Sequence, residues 1–201
     1  MTEERYAVDD INFKELAELN PEDVCKQALC RYDEIKKCYT LIVWGDRYEV
    51  YPYDSRVEAV GFSSKKLHDY FYIFLVNYLI QAKDANLCNE WISEKDIAGG
   101  STFFRGPHEI PTRFIASCYS KNIEKFKNVC EELGGTPINM ADAAYSFAIT
   151  PRILVAVLFW DCDDDFPAEA KILFDRSISY LALDIIFALA VAICSRLGKK
   201  G

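Results

Sequence analysis

Apolar residues recur at helical spacing through Leu67, Tyr70, Phe71, Phe74, Leu75, Tyr78 and Leu79. That stripe predicts a helix from a cap at Ser63 or Ser64 to about Ala82, widened by Ile73 and Val76 and therefore largely buried. A second stripe, Ile115, Tyr119, Ile123, Phe126, Cys130 and Leu133, predicts an amphipathic helix over about 112–133, ended by Gly134-Gly135. The third and most apolar stretch follows Asp175, read as its N-cap, and predicts a helix over about 176–197. Nearly every position from Tyr180 to Ile193 is apolar, so this helix is expected at the centre of the core or against a second copy. Near the N-terminus, Ile11 to Leu19 reads as a short helix. Asn20-Pro21-Glu22-Asp23 starts another, with Asn as cap, Pro in the first turn and acids at its positive end, expected to reach about Tyr32.

Two stretches have strand character. Cys38–Trp44, the turn Gly45-Asp46 and the alternating run Arg47–Tyr53 predict one hairpin. The unbroken apolar run Ile153–Trp160, an acidic turn and Ala170–Phe174 predict a second, with Ala144–Ile149 alongside. A lone hairpin is marginal in water, so the two are expected to share a sheet. The expected class is α+β: a mostly antiparallel mixed sheet built from two hairpins and packed by three long helices. Residues 83–112 are irregular, apart from a one-turn helix expected from Ser93. With 201 residues and neither repeat nor linker, the chain is expected to form one domain, 1–20 being an appendage and 21–198 the core.

Charge and cysteine usage narrow the function. The net charge is −8, from 31 acidic against 23 basic residues, and no basic run interleaves with aromatics, which disfavours nucleic acid. Asp184 interrupts the most apolar stretch, itself short for a bilayer, so no membrane span is expected. The N-terminus resembles no export signal, which predicts a cytoplasmic protein with its eight cysteines reduced. No Cys-x-x-Cys occurs, and Cys25 and Cys30 would diverge by roughly 140° on one continuous helix, so no metal site is expected. The turn Asp161–Asp165 lacks the glycine and the closing glutamate of a calcium loop, Phe166 and Ile172 standing there instead. Phosphate-loop, dinucleotide and nucleophile-elbow motifs are absent, and no cofactor can be named.

What remains is a cluster of weaker signals. His108 lies between Arg105 and Arg113 in the irregular segment, close to Gly99-Gly100 and downstream of Trp91. Cationic donors, a titratable ring, flexible backbone and an apolar wall suit a small anionic ligand. Arg152 is a further candidate for that site and a potential partner for Asp184.

The order of several short stretches also carries a resemblance. Pro151-Arg152, Phe159-Trp160-Asp161, Asp164-Asp165-Phe166-Pro167-Ala168, Ile172-Leu173-Phe174-Asp175 and Tyr180-Leu181 are among them, as are Trp91, Gly99-Gly100, Phe114 and Leu133-Gly134-Gly135. Together, over roughly 20–198, they resemble an uncharacterised domain-of-unknown-function family found mainly in anaerobic bacteria and archaea. Some relatives carry an added iron–sulfur module that this chain lacks, and the resemblance implies a setting in anaerobic redox or metallocofactor metabolism. It brings no catalytic residues. Three readings follow. The first is a binding or accessory domain for a small anionic ligand, cofactor or partner protein, with Trp91, Gly99, Gly100, Arg105, His108, Arg113 and Arg152 as its site. The second is an enzyme using His108 or a carboxylate such as Asp161 or Asp175 as acid or base. The third is a structural homodimer without ligand.

Overall fold

In a computed structural model, residues 8–61 and 68–198 are described. Ser63 and Ser64 lie outside them. Among the described residues the fold is α+β, with seven α-helices and nine strands, the strands forming two antiparallel sheets. Helices α1 (Asp10–Glu18) and α2 (Pro21–Ala28) are each started by a side-chain cap, Asp9 and Asn20. The first sheet is a meander of β1 (Arg31–Asp33), β2 (Cys38–Val43), β3 (Asp46–Tyr51) and β4 (Arg56–Val60). Helix α3 (Asp69–Gln81) follows, with His68 as its cap. The irregular segment holds β5 (Trp91–Ile92), the expected turn of 3-10 helix at Glu94–Asp96, and α4 (Gly100–Phe103). Next come α5 (Arg113–Tyr119), α6 (Ile123–Glu132), β6 (Thr136–Pro137), β7 (Ala143–Thr150), β8 (Ile153–Trp160), β9 (Glu169–Asp175) and α7 (Leu183–Gly198). The second sheet runs β5-β9-β8-β7-β6, so the apolar β8 is central as its composition predicts.

The expectation of one shared sheet is corrected. β2 is flanked on both sides by its own neighbours, β1 and β3, and so has no edge to offer β8. The sheets instead meet end to end, where the Trp44 amide donates to the Ile149 carbonyl at 2.7 Å and the Trp44 and Phe147 rings pack edge to face. One continuous buried cluster draws on both sheets and on α3 and α7, which pack together at its centre. On the opposite face of the second sheet, Ala144, Ala156 and Leu158 form a small separate cluster with Trp91 and Trp160 against it.

The helix boundaries differ for identifiable reasons. α2 stops at Ala28 because Leu29 turns into the left-handed region, φ 53°, and Tyr32 belongs to a strand. The single helix expected over 112–133 is two. Asp161 accepts from the Lys121 amide at 2.7 Å, and Asn122 caps α6 by accepting from Lys125. The break redirects the chain so that both Tyr119 and Phe126 meet Phe159. Asp175 does cap a helix, but a 3-10 one at Arg176–Tyr180. α7 begins later, beside Ala182, whose amide donates to the Gln81 side chain at 2.9 Å. α7 buries ten residues from Ile185 to Leu197, which makes it a core helix. Asp184 is exposed in its first turn, where the helix dipole favours a carboxylate, and needs no partner from Arg152. No helix among the described residues is long and apolar enough to cross a membrane.

Candidate functional site

The irregular segment folds back on β9 and leaves a cleft of about 540 Å3 between them. Its floor comes from local rules. Ser93 and Asp96 form a capping box, the Ser93 hydroxyl and amide donating to the Asp96 carboxylate at 2.7 and 2.8 Å. Asp96 is held below the usual carboxylate range by those bonds, that from the Ser93 side chain foremost. Gly99, at φ 78°, turns the chain into α4. Gly100 passes so close to the Glu94 carbonyl that a Cβ there would lie 1.9 Å from its oxygen. Only glycine fits. Phe104 is buried beneath this turn and Arg105 stands beside it in the open.

Lys95, Arg105 and Lys171 line the cleft with Ser101, opposed by Glu94, Glu109 and Glu169. None of these six charged groups is in an ion pair among the described residues. A second recess of about 350 Å3 adjoins it, sharing Thr112, Glu169 and Ala170, and is lined by Arg113. Arg105 and Arg113 thus serve neighbouring hollows along one strand of the second sheet.

The other candidates lie elsewhere. The His108 ring stacks on Phe103, centroids 4.5 Å apart, and meets Phe187 of α7 edge-on, so it does not line the cleft. Trp91 packs on the small cluster across the second sheet and is no wall for Arg105. The Gly100 amide is already donated to the Ile97 carbonyl at 2.8 Å, so the glycine pair makes a tight turn rather than an anion nest. Arg152 is buried and fully engaged. Its guanidinium donates to the carbonyls of Gln27, Lys26 and Ala85 and to the Asp84 carboxylate, clamping the end of α2 to the segment after α3.

The two carboxylates considered as acid or base are likewise occupied. Asp161 accepts from the Lys121 and Cys162 amides. For the buried Asp175, burial alone would raise the pKa, but donors from Cys88, Ser177 and Asn89 outweigh it and the carboxyl sits below its ordinary range. In the acidic turn, Asp163 accepts from the Asp165 and Phe166 amides. Among the described residues no group of three or more His, Cys, Asp or Glu is placed to hold a metal ion.

Glu94, Lys95, Glu109, Glu169 and Lys171 were not singled out from the sequence. The alternation Glu169, Lys171 against the buried Ala170 and Ile172 was the available signal, since it sets two charges on one face of β9. Comparison with known proteins adds one match: the model of a family described as a domain of unknown function, DUF3786, covers residues 20–196. No curated protein and no solved structure matches the chain.

Proposed function

The chain belongs to the DUF3786 family of domains of unknown function, and from that premise we propose that it is a binding module for a small polar molecule with at least one anionic group. Arg105, Lys95 and Lys171 meet the anionic end, and Glu94, Glu109 and Glu169 orient the rest. The observation that carries this reading is the set of charges of both signs around one cleft, none of them in a direct ion pair among the described residues. Charged side chains not held in ion pairs at a concave surface are available to a ligand, and a few convergent polar groups are what small-molecule sites use. The local field at the cleft depends on these near groups more than on the net charge. Arg113 extends the site into the adjoining recess. In keeping with the resemblance, the setting of the ligand is anaerobic metabolism. A binding role is favoured over acid–base catalysis because the His108 ring is stacked on Phe103 with Phe187 edge-on to it, outside the cleft, and Asp161 and Asp175 accept from backbone amides.

Thermal-shift screening followed by titration calorimetry tests this, with a panel of small carboxylates, phosphate esters and amino acids. A panel member should raise the melting temperature of the wild type. Its affinity should fall tenfold or more, about 1.4 kcal/mol, in Arg105→Ala and in Lys171→Ala. His108→Ala should bind as the wild type does. Equal affinity in wild type, Arg105→Ala and Lys171→Ala, or no binding by any panel member, would count against the cleft.

A further inference from the structure

Cys25 and Cys30 were expected to diverge on a continuous helix, and they do not. The left-handed turn at Leu29 swings Cys30 back across the end of α2, where its amide donates to the Cys25 carbonyl at 3.2 Å. The two sulfur atoms come to 3.8 Å, with the Cys30 thiol also directed at the Val24 carbonyl. Both carry free thiols, and both are partly buried. The backbone around them is held from three directions. Arg152 binds the carbonyls of Lys26 and Gln27, the Tyr78 hydroxyl donates to the Ala28 carbonyl at 2.9 Å, and β1 leaves directly from Cys30 into the first sheet.

We propose that Cys25 and Cys30 are a redox-active dithiol that closes to an intramolecular disulfide by exchange with an aliphatic disulfide. This site is separate from the cleft. The sulfurs are already in van der Waals contact. Closing from 3.8 Å to the bonded distance of about 2.05 Å brings the sulfurs together by under ~2 Å. The order of steps follows from the surroundings. Burial pushes both thiols above their ordinary range, Cys30 further than Cys25, so Cys25 supplies the first thiolate.

The Cys25 thiolate attacks one sulfur of the incoming disulfide, whose S–S bond breaks. The departing thiolate takes a proton from water, and Cys25 is left in a mixed disulfide. The Cys30 thiol then gives its proton to solvent and attacks the Cys25 sulfur, expelling the second thiolate. Two protein thiols are oxidised by two electrons, and the external disulfide is reduced to two thiols. High thiol pKa values make poor leaving groups, so the closed form resists reduction. The bridge would staple the end of α2, the same point that Arg152 clamps.

The full chain carrying Cys88→Ser, which removes an exposed competing thiol, is treated with oxidised glutathione at mildly alkaline pH. It is then alkylated and peptide-mapped. The expected result is a Cys25–Cys30 bridge as the first product, with the loss of two hydrogen atoms and no retained glutathione. Adding Cys30→Ser should trap glutathione on Cys25, whereas adding Cys25→Ser should leave Cys30 unmodified over the same period. The conservative serines leave the fold testable by circular dichroism. Stable glutathione on Cys25 with Cys30 present, a first bridge between any other pair, or an unreacted Cys25 would each overturn the proposal.

Discussion

Replacing Arg152 with methionine keeps most of the apolar stem and removes every donor, which makes it a direct measure of the clamp. Arg152 is only 6% exposed, and its four hydrogen bonds run from 2.5 to 3.2 Å. The ion pair with Asp84 contributes little by itself: the Asp84 side chain is 60% exposed, and a pair open to water on one side is worth about 0–1 kcal/mol. The carbonyls of Lys26, Gln27 and Ala85 matter more. They lose a charged donor at partly buried positions, at about 1.5–3 kcal/mol for one such bond. The bonds share one side chain and do not add in full, so the expected loss is about 3–5 kcal/mol, the range for breaking a buried charged network from one side. In urea, with a slope of about 2–3 kcal/mol per molar, the midpoint should fall by about 1–2 M at unchanged slope. Arg152→Lys should recover less than half of this, because one ammonium cannot span the guanidinium's separated acceptors. Asp84→Asn should lose under about 1 kcal/mol. The clamp argument fails if Arg152→Met stays within 1 kcal/mol of wild type, or if Asp84→Asn loses as much as Arg152→Met.

Gly100→Ala should destabilise the chain by about 1–3 kcal/mol, measured by denaturant unfolding, because its Cβ would strike backbone rather than a movable side chain. Gly106→Ala, where a Cβ meets open space, should weaken the fold only through its positive φ of 56°. Asp175, with its folded pKa depressed, should add stability above the ordinary aspartate range near pH 4. That contribution should fade as pH falls through the depressed value, so Asp175→Asn should lower stability at neutral pH and flatten the acid limb of the melting profile. A variant whose acid limb matches wild type would show that Asp175 is not its source.

What the chain's own pattern determined was local: features in which a residue answers to neighbours a few positions away. Asn20 caps α2, Asp175 caps the turn after β9, Gly134 ends α6 in the left-handed region, and the two hairpins turn where glycine or acidic residues stand. Each follows from backbone conformation and period alone, as does the centrality of the unbroken apolar β8. Tertiary contacts decided the rest. Periodicity says which face of an element is buried and not what buries it, so the stripe from Ile115 to Leu133 gave no sign that Asp161, about forty residues on, would bind the Lys121 amide and break the helix. The same limit hid the destination of Arg152, whose acceptor Gln27 lies 125 positions away, and so made a structural clamp resemble a ligand site. It also hid the pairing of Cys25 with Cys30. A single left-handed residue, Leu29, moves the second thiol from the far side of a helix into contact with the first, and no propensity assigns that conformation to leucine.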